Sequence, residues 1–123
     1  MNPVHNYRDL IVWQKSMDQC VAVYTTTRRF PKDELFGLTQ QLRRALVSVP
    51  SNIAEGNGRG TTTDYLRFLG YARGSLFEAQ TQLEIARRLD YLDNNTAEEH
   101  ASLFNEIERM LNSMIAKLEA FIV

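Results

Sequence analysis

Polar side chains recur at helical spacing in the middle of this sequence. They are Gln41, Arg44, Ser48, Asn52, Glu55 and Arg59. Steps of three and four residues place side chains on one face of an α-helix. Arginine offers a planar set of donors that binds carboxylates or phosphates, and asparagine and serine add directional hydrogen bonds. The pattern therefore predicts a subunit interface or a polar groove, and the alternative interpretation is an ordinary solvated face.

The candidate residues for binding a partner or nucleic acid lie in or beside this pattern. They are Arg43, Arg44, Asn52, Glu55, Arg59 and Arg73. Residues 35–88 carry a net charge of +3 and residues 89–123 a net charge of −5, so arginines in the middle of the chain could neutralise phosphates. The chain as a whole carries −1, however, which disfavours a dedicated basic nucleic-acid binder.

Groups that could carry catalysis lack the partners that catalysis requires. General acid–base chemistry needs two converging acids, and Glu55 is the one acid near Pro50. Cys20 lies on an apolar stripe without a nearby histidine, which predicts a buried structural thiol. We therefore expect no catalytic residue, no enzymatic activity and no small-molecule substrate.

Metal and phosphate motifs are also incomplete. The two histidines, His5 and His100, do not form the Glu-x-x-His motifs of a di-iron bundle. The glycines at 56, 58 and 60 lack the Gly-Lys-Ser/Thr ending of a phosphate loop, so they predict the end of a helix instead. We expect no metal site and no cofactor.

Four apolar stripes with helical period predict the elements that position these side chains. The stripes are Leu10, Trp13, Met17, Cys20 and Tyr24; Leu35, Leu38, Leu42, Ala45, Val49 and Ile53; Tyr65, Leu69, Ala72, Leu76, Ala79, Leu83 and Ala86; and Leu103, Ile107, Met110, Met114, Leu118 and Phe121. The predicted helices span about 8–29, 35–57, 64–90 and 97–122. Long helices joined by short connections favour one all-α domain over 1–123, an antiparallel up-down-up-down four-helix bundle.

The predicted helix ends rest on capping residues. Thr96 with Glu99 indicates a capping box that opens the fourth helix. Asp64 or a threonine of 61–63 is expected to cap the third helix. Gly56 and Gly58 are expected to end the second.

Two features break the helical pattern. Pro50 frees the carbonyl of Leu46, so the second helix is expected either to kink or to stop and restart there. Gly70 and Gly74 lie one turn apart in the third helix, and we expect the segment 48–56 to pack closely across them and Ser75.

The apolar content exceeds the need of a lone bundle, which requires about three apolar positions in seven. The additional apolar residues are Leu66, Phe68, Tyr71, Phe77 and Ile85 on the third helix, and Phe104, Leu111, Ile115 and Ile122 on the fourth. Exposed apolar patches mark association, so a homo-oligomer is expected.

Length and composition are those of a single globular domain. The chain has 123 residues, of which 44% are hydrophobic and 24% charged. One cysteine fits a reducing cytoplasm, and no apolar run approaches the ~18 residues of a membrane span. A cytoplasmic protein without membrane association is expected.

Four segments resemble the bacterial proteins encoded by intervening sequences in 23S ribosomal RNA genes. They are residues 7–15, 30–38, 41–56 and 65–78, and the string SVPSNIAEG at 48–56 with a following arginine is specific to that group. The resemblance covers about residues 7–92, and the fourth helix matches only in type. Gln80 and Asp90 replace the glutamate and glycine expected at their positions.

The resemblance implies a cytoplasmic four-helix bundle that assembles into a ring, with a homopentamer as the expected state. It assigns no enzymatic activity. The similar accessory variability proteins of diversity-generating retroelements are basic and work with a reverse transcriptase and nucleic acid, and this chain differs from them in its negative charge. We expect a non-enzymatic accessory protein whose partner is RNA or a nucleic-acid enzyme. The alternative is a protein-interaction scaffold that binds no nucleic acid.

Overall fold

The computed structural model describes residues 6–122 and contains four long α-helices. They are α1 (Ile11–Thr27), α2 (Leu38–Gly58), α3 (Thr62–Arg88) and α4 (Asn94–Glu119). Short 3-10 turns at Tyr7–Asp9 and Lys32–Glu34 precede α1 and α2. The described residues contain no strand, which confirms the all-α prediction. His5 lies outside the described residues.

The four helices pack in a closed cycle. Helix α1 contacts α2 and α4, and α3 also contacts α2 and α4. Side-chain pairs join the end of α2 to the start of α3, as in Asn57 with Tyr65, and the middle of α2 to the middle of α3, as in Ser48 with Ser75. These contacts are consistent with a four-helix bundle.

The apolar stripes of α2 and α3 form the centre of the core as predicted. The buried stripe residues are Leu42, Ala45, Val49 and Ile53 on α2, and Leu69, Ala72, Leu76, Ala79, Leu83 and Ala86 on α3. Leucines and alanines alternate along α3, so neighbouring helices approach closely at the alanines and interdigitate at the leucines. Leu35 is exposed because it precedes α2.

The predicted stripes of α1 and α4 are only partly correct, because the buried face of each helix is shifted to a neighbouring row. Helix α4 buries Ala97, His100, Phe104, Ile107, Leu111 and Ile115, and of the predicted stripe only Ile107 is fully enclosed. Leu103, Met110, Met114 and Leu118 pack against the edge of the core, and Phe121 is exposed. A helix with apolar residues on two adjacent rows offers two similar stripes, and packing selects between them.

Helix α1 buries a face that is half apolar and half polar: Val12, Ser16, Gln19, Cys20, Val23 and Thr27. Met17 and Tyr24 of the predicted stripe are exposed. Polar groups are tolerated in this core because most have a hydrogen bond. Ser16 donates to the carbonyl of Val12, and Thr27 donates to that of Val23.

Helix α2 continues through Pro50, so the interpretation that it stops and restarts there is wrong. Proline has no N–H to donate to the carbonyl of Leu46. The thiol of Cys20 replaces it, with Sγ 3.2 Å from the Leu46 oxygen. A donor from α1 thus satisfies the backbone group that Pro50 leaves free on α2. The kink at Pro50 stays a prediction.

The helix ends follow the predicted chemistry in part. Thr61 caps α3 by accepting from the amide of Asp64, as expected of that threonine run. Asp93, rather than Thr96, caps α4, because the Asp93 side chain accepts from the amide of Thr96. Helix α2 ends at Gly58, but its cap is Arg59 with a helical backbone, and the positive φ belongs to Gly60.

The expected close approach across Gly70 and Gly74 is wrong. A Cβ atom built on either glycine would meet nothing within 4 Å, because both lie on the outward side of α3. The close approach occurs at Gly56, where a Cβ would lie 2.8 Å from the Cβ of Phe68. Glycine is therefore required at the end of α2, where α3 crosses it.

Candidate functional site

The site consists of the polar face of α2 and the residues of α3 beside it, which we call the α2–α3 seam. Gln41, Arg44, Ala45, Ser48, Ser75 and Glu78 line a shallow cavity of about 290 Å³ between the two helices. Asn52, Glu55 and Arg59 continue the same face of α2 toward its end. The predicted spacing therefore produces a continuous polar strip.

A chain of hydrogen bonds fixes the middle of the seam. The Asn52 amide donates to both the carbonyl oxygen and the hydroxyl of Ser48, each at 2.8 Å. The Ser75 hydroxyl donates to the Ser48 hydroxyl at 3.0 Å. Asn52 and Ser48 therefore hold α3 against α2, which accounts for their residue types without a ligand.

Two arginines of the seam are available to a partner. Arg44 and Arg59 are exposed, and no carboxylate of residues 6–122 lies within 4 Å of either guanidinium. The Arg59 guanidinium lies 4.8 Å from the centre of the Phe68 ring, which orients it without neutralising its charge. Glu55 and Glu78 are exposed on the same surface, so the strip carries both signs of charge.

The structure does not bring Arg43 and Arg73 to this seam. Arg43 lies between α1 and α2, where its Nε donates to the Thr27 hydroxyl at 2.8 Å and its guanidinium covers the Tyr24 ring at 4.5 Å. Arg73 lies between α3 and α4 and donates to the Asn112 side chain at 3.0 Å. Both arginines bridge helices of the same chain, which explains them structurally.

Other arginines are paired within the chain. Glu84 accepts from Arg87 at 2.7 Å and from Arg88 at 2.9 Å, and these bonds lower the pKa of the Glu84 carboxyl to about 2. Arg67 binds Asp64 at 3.0 Å at the start of α3. Within the described chain, Arg67, Arg87 and Arg88 are thus paired with carboxylates, whereas Arg44 and Arg59 are not.

The nucleophilic and basic groups are engaged in structural roles. Burial raises the pKa of the Cys20 thiol to about 11, which keeps it protonated near neutral pH. His100 is buried on α4 with Nε2 2.7 Å from the Thr26 hydroxyl, and burial lowers its pKa below the ordinary value. No three His, Cys, Asp or Glu side chains within residues 6–122 are arranged to hold a metal ion.

The apolar surface differs from the predicted one. Phe68, Phe104, Leu111 and Ile115 are buried inside the bundle, so they are not part of an exposed patch. Leu66 packs against the edge of the core. Tyr71, Phe77, Ile85 and Ile122 are exposed as expected. The bundle therefore absorbs part of the apolar excess and leaves the rest at its surface.

Two further features were not singled out by sequence spacing. Phe36 is 85% exposed on the connection before α2. A cavity of about 500 Å³ lies between α3 and α4, over Leu83, Ala97 and Phe104. No periodic pattern could reveal this cavity, because it depends on where two helices diverge.

None of the helices in the described part of the chain combines the length and apolarity required to cross a bilayer.

A solved structure supports the fold. The chain is similar to a protein of unknown function from the S23 ribosomal protein family of Bacteroides thetaiotaomicron, with a TM-score of 0.77 and 24% sequence identity. The match covers 85% of this chain and 98% of that one. No curated protein matches the chain.

Fold and surface together define a small all-helical bundle protein with a polar seam between α2 and α3. The family model described as 23S rRNA-intervening sequence protein matches residues 8–113. The chain belongs to this family, which confirms the resemblance read from its sequence motifs.

Proposed function

We propose that this protein is a non-enzymatic accessory protein that forms a homo-oligomeric ring and associates with RNA through the α2–α3 seam. Each subunit is an antiparallel up-down-up-down bundle that works in the cytoplasm. The observation that carries the proposal is the pair Arg44 and Arg59, two exposed guanidiniums on one face without a carboxylate of the described chain within 4 Å.

Oligomerisation increases the number of arginines that the protein can present to RNA. One subunit offers only two such arginines, and the free energy of nonspecific RNA binding grows with the number of phosphates contacted. A ring repeats the pair around its circumference, and a homopentamer is the state we expect. The exposed apolar side chains that remain on the bundle, such as Tyr71 and Phe77, supply surface for assembly.

The absence of enzymatic activity is part of the proposal. It is supported by the hydrogen bonds that the reactive groups already make. The Cys20 thiol donates to a backbone carbonyl, and the Ser48 hydroxyl belongs to the chain of hydrogen bonds between α2 and α3. A nucleophile needs a base within hydrogen-bond reach. His100 instead bonds Thr26, on the α1–α4 side of the bundle.

Salt dependence of RNA binding tests the RNA association. The probe is a fluorescent transcript of a 23S rRNA intervening sequence, titrated with protein at several salt concentrations. Each lost phosphate contact reduces the slope of log K against log salt by about 0.7–0.9. We expect Arg44→Ala and Arg59→Ala each to lessen the slope.

Arg88→Ala serves as the matched control, since Arg88 is exposed but paired with Glu84 away from the seam. It should leave the slope nearly unchanged. Binding that is undetectable at low salt while the oligomer is intact would overturn the RNA association.

A protein-interaction scaffold is the second candidate. The mixed charge of the seam favours it, since Glu55 and Glu78 accompany the arginines and suit a protein surface better than a polyphosphate. In that case Arg44 pairs with a carboxylate of a neighbouring subunit, and Arg44→Glu dissociates the oligomer. An intact oligomer after this charge reversal would exclude the scaffold.

A further inference from the structure

The side chain of Phe36 is exposed and apolar and is held on an ordered segment; we call it the knob. It is 85% exposed, and the preceding Leu35 is 49% exposed. Hydrogen bonds hold the segment in place: Glu34 accepts from the amide of Leu38 and from the hydroxyl of Tyr91. An exposed phenylalanine on an ordered turn leaves apolar surface in water, and burying that surface against a docking partner is favourable.

The cavity between α3 and α4 has the features of a receiving pocket. Its volume is about 500 Å³, and a cavity of about 150 Å³ already accommodates a benzene ring. The buried lining residues Leu83, Ala97 and Phe104 are apolar, and the less buried lining residues include the polar side chains of Gln80, Glu84, Arg87 and Asn105. An apolar centre surrounded by polar groups is the usual anatomy of an interface anchor site.

Charge matches the knob to this cavity. The connection over residues 28–37 carries exposed Arg28, Arg29 and Lys32 against Asp33 and Glu34, a net charge of +1. The cavity lies against acidic α4, where Glu98 lines it and Glu99 is exposed beside it. Opposite charges on two surfaces of one chain favour contact between copies.

The knob and the cavity also occur at the same end of the bundle. The Phe30 ring packs on Tyr91 at 5.4 Å, and the Tyr91 hydroxyl donates to Glu34. The connection that carries Phe36 therefore touches the α3–α4 turn, and Arg87 and Asn94 on either side of that turn line the cavity. Two copies side by side with parallel axes would bring the knob of one near the cavity of the next.

We propose that Phe36 of one copy inserts into the α3–α4 cavity of a second copy. This inference rests on the proposed oligomer and identifies its contact surfaces. Knob and cavity lie on different parts of the chain, so repetition of the contact links each copy to the next and can close into a ring. Phe36 supplies the apolar anchor, and the basic connection pairs with acidic α4.

Site-directed cross-linking tests the contact. Cys20→Ala first removes the only native cysteine. Leu35→Cys and Ala101→Cys then place one thiol beside the knob and one in the cavity, which leaves Phe36 itself intact. After treatment with a short bismaleimide, we expect a covalent ladder on a denaturing gel.

The matched control pairs Leu35→Cys with Arg109→Cys, since Arg109 is also exposed on α4 but does not line the cavity. This pair should give no ladder. An oligomer that shows no cross-link in the first pair, or equal cross-linking in both, would overturn the proposed contact while leaving the oligomer standing.

Phe36→Ser provides an independent measurement. It should weaken self-association about 30-fold, the scale of an interface hot spot, while circular dichroism shows unchanged helix content. Phe121→Ser is the control, because Phe121 is also strongly exposed, at 79%. Equal association of the Phe36→Ser variant and the parent chain would contradict the contact. A parent chain that is monomeric throughout would instead contradict the oligomer itself.

Discussion

Helices α1 and α3 occupy equivalent places in the bundle, since each packs between α2 and α4, yet α3 buries an almost wholly apolar face and α1 a mixed one. Helix α3 buries a regular row of leucine and alanine, of which Leu76 is typical. Helix α1 buries Ser16, Gln19 and Thr27, while Met17 and Val21 stay exposed. The comparison shows that the buried row of α3 contributes packing, whereas the buried face of α1 contributes hydrogen bonds as well.

The polar face of α1 has specific partners. The Thr26 hydroxyl bonds His100 of α4, and Lys15 forms an ion pair with Glu106 of the same helix. Gln19 is fully buried, and its amide donates to the His100 carbonyl at 3.5 Å, a long bond. The contribution of the buried face of α1 to stability should therefore respond to pH and to loss of donors, whereas the contribution of the leucine and alanine row of α3 should respond mainly to loss of side-chain volume.

The largest expected effect is loss of packing in α3. Leu76→Ala removes a side chain with no exposed surface and should lower the free energy of unfolding by about 2–5 kcal/mol. Met17→Ala on α1 is the matched variant, since Met17 is 40% exposed, and should cost under about 1 kcal/mol. Urea denaturation measures both. Similar costs at the two sites would contradict the assignment of faces.

An intermediate effect is expected from pH at the α1–α4 contact. Burial lowers the pKa of His100 in the folded chain, so the unfolded chain takes up the proton first as the pH falls. The stabilisation from neutral His100 is therefore complete above the ordinary pKa of about 6.5 and is lost progressively below it.

Thermal unfolding between pH 7 and 5 measures this dependence. His100→Gln, which retains a donor for Thr26, should flatten it. A variant with the same pH dependence as the parent chain would assign the effect to other groups.

The smallest effect concerns the bond between α1 and Pro50. Pro50→Ala restores an amide that can donate to the Leu46 carbonyl, so the Cys20 thiol becomes redundant there. Cys20→Ala should therefore cost less in the Pro50→Ala chain than in the parent, by about 0.5–1 kcal/mol. A double-mutant cycle measures this coupling. Additive effects would show that the thiol does not compensate for the proline.

The difference between α1 and α3 also explains which buried helix faces could be predicted from the sequence. Leucine and alanine at heptad spacing leave one choice of buried face, and the prediction for α3 is correct. Helix α1 offers an apolar row through Met17 and Tyr24 and a polar row through Ser16 and Gln19. Hydropathy selects the first, but the available partners on α4, above all His100, select the second.

The candidate site was likewise predictable only in part from the sequence. Periodicity placed Arg44, Ser48, Asn52 and Arg59 on one face, because a helix converts spacing into position. It could not show that Ser48 and Asn52 bond to each other and to Ser75, or that Arg43 and Arg73 bridge other pairs of helices. These assignments depend on distances between helices.

The proposed assembly is tested most directly by native mass spectrometry of the purified chain at micromolar concentration. The account predicts a closed species whose mass is an integral multiple of 14.2 kDa, with the homopentamer expected, and a shift toward smaller species in the Phe36→Ser variant. A single species of 14.2 kDa from the parent chain would contradict it.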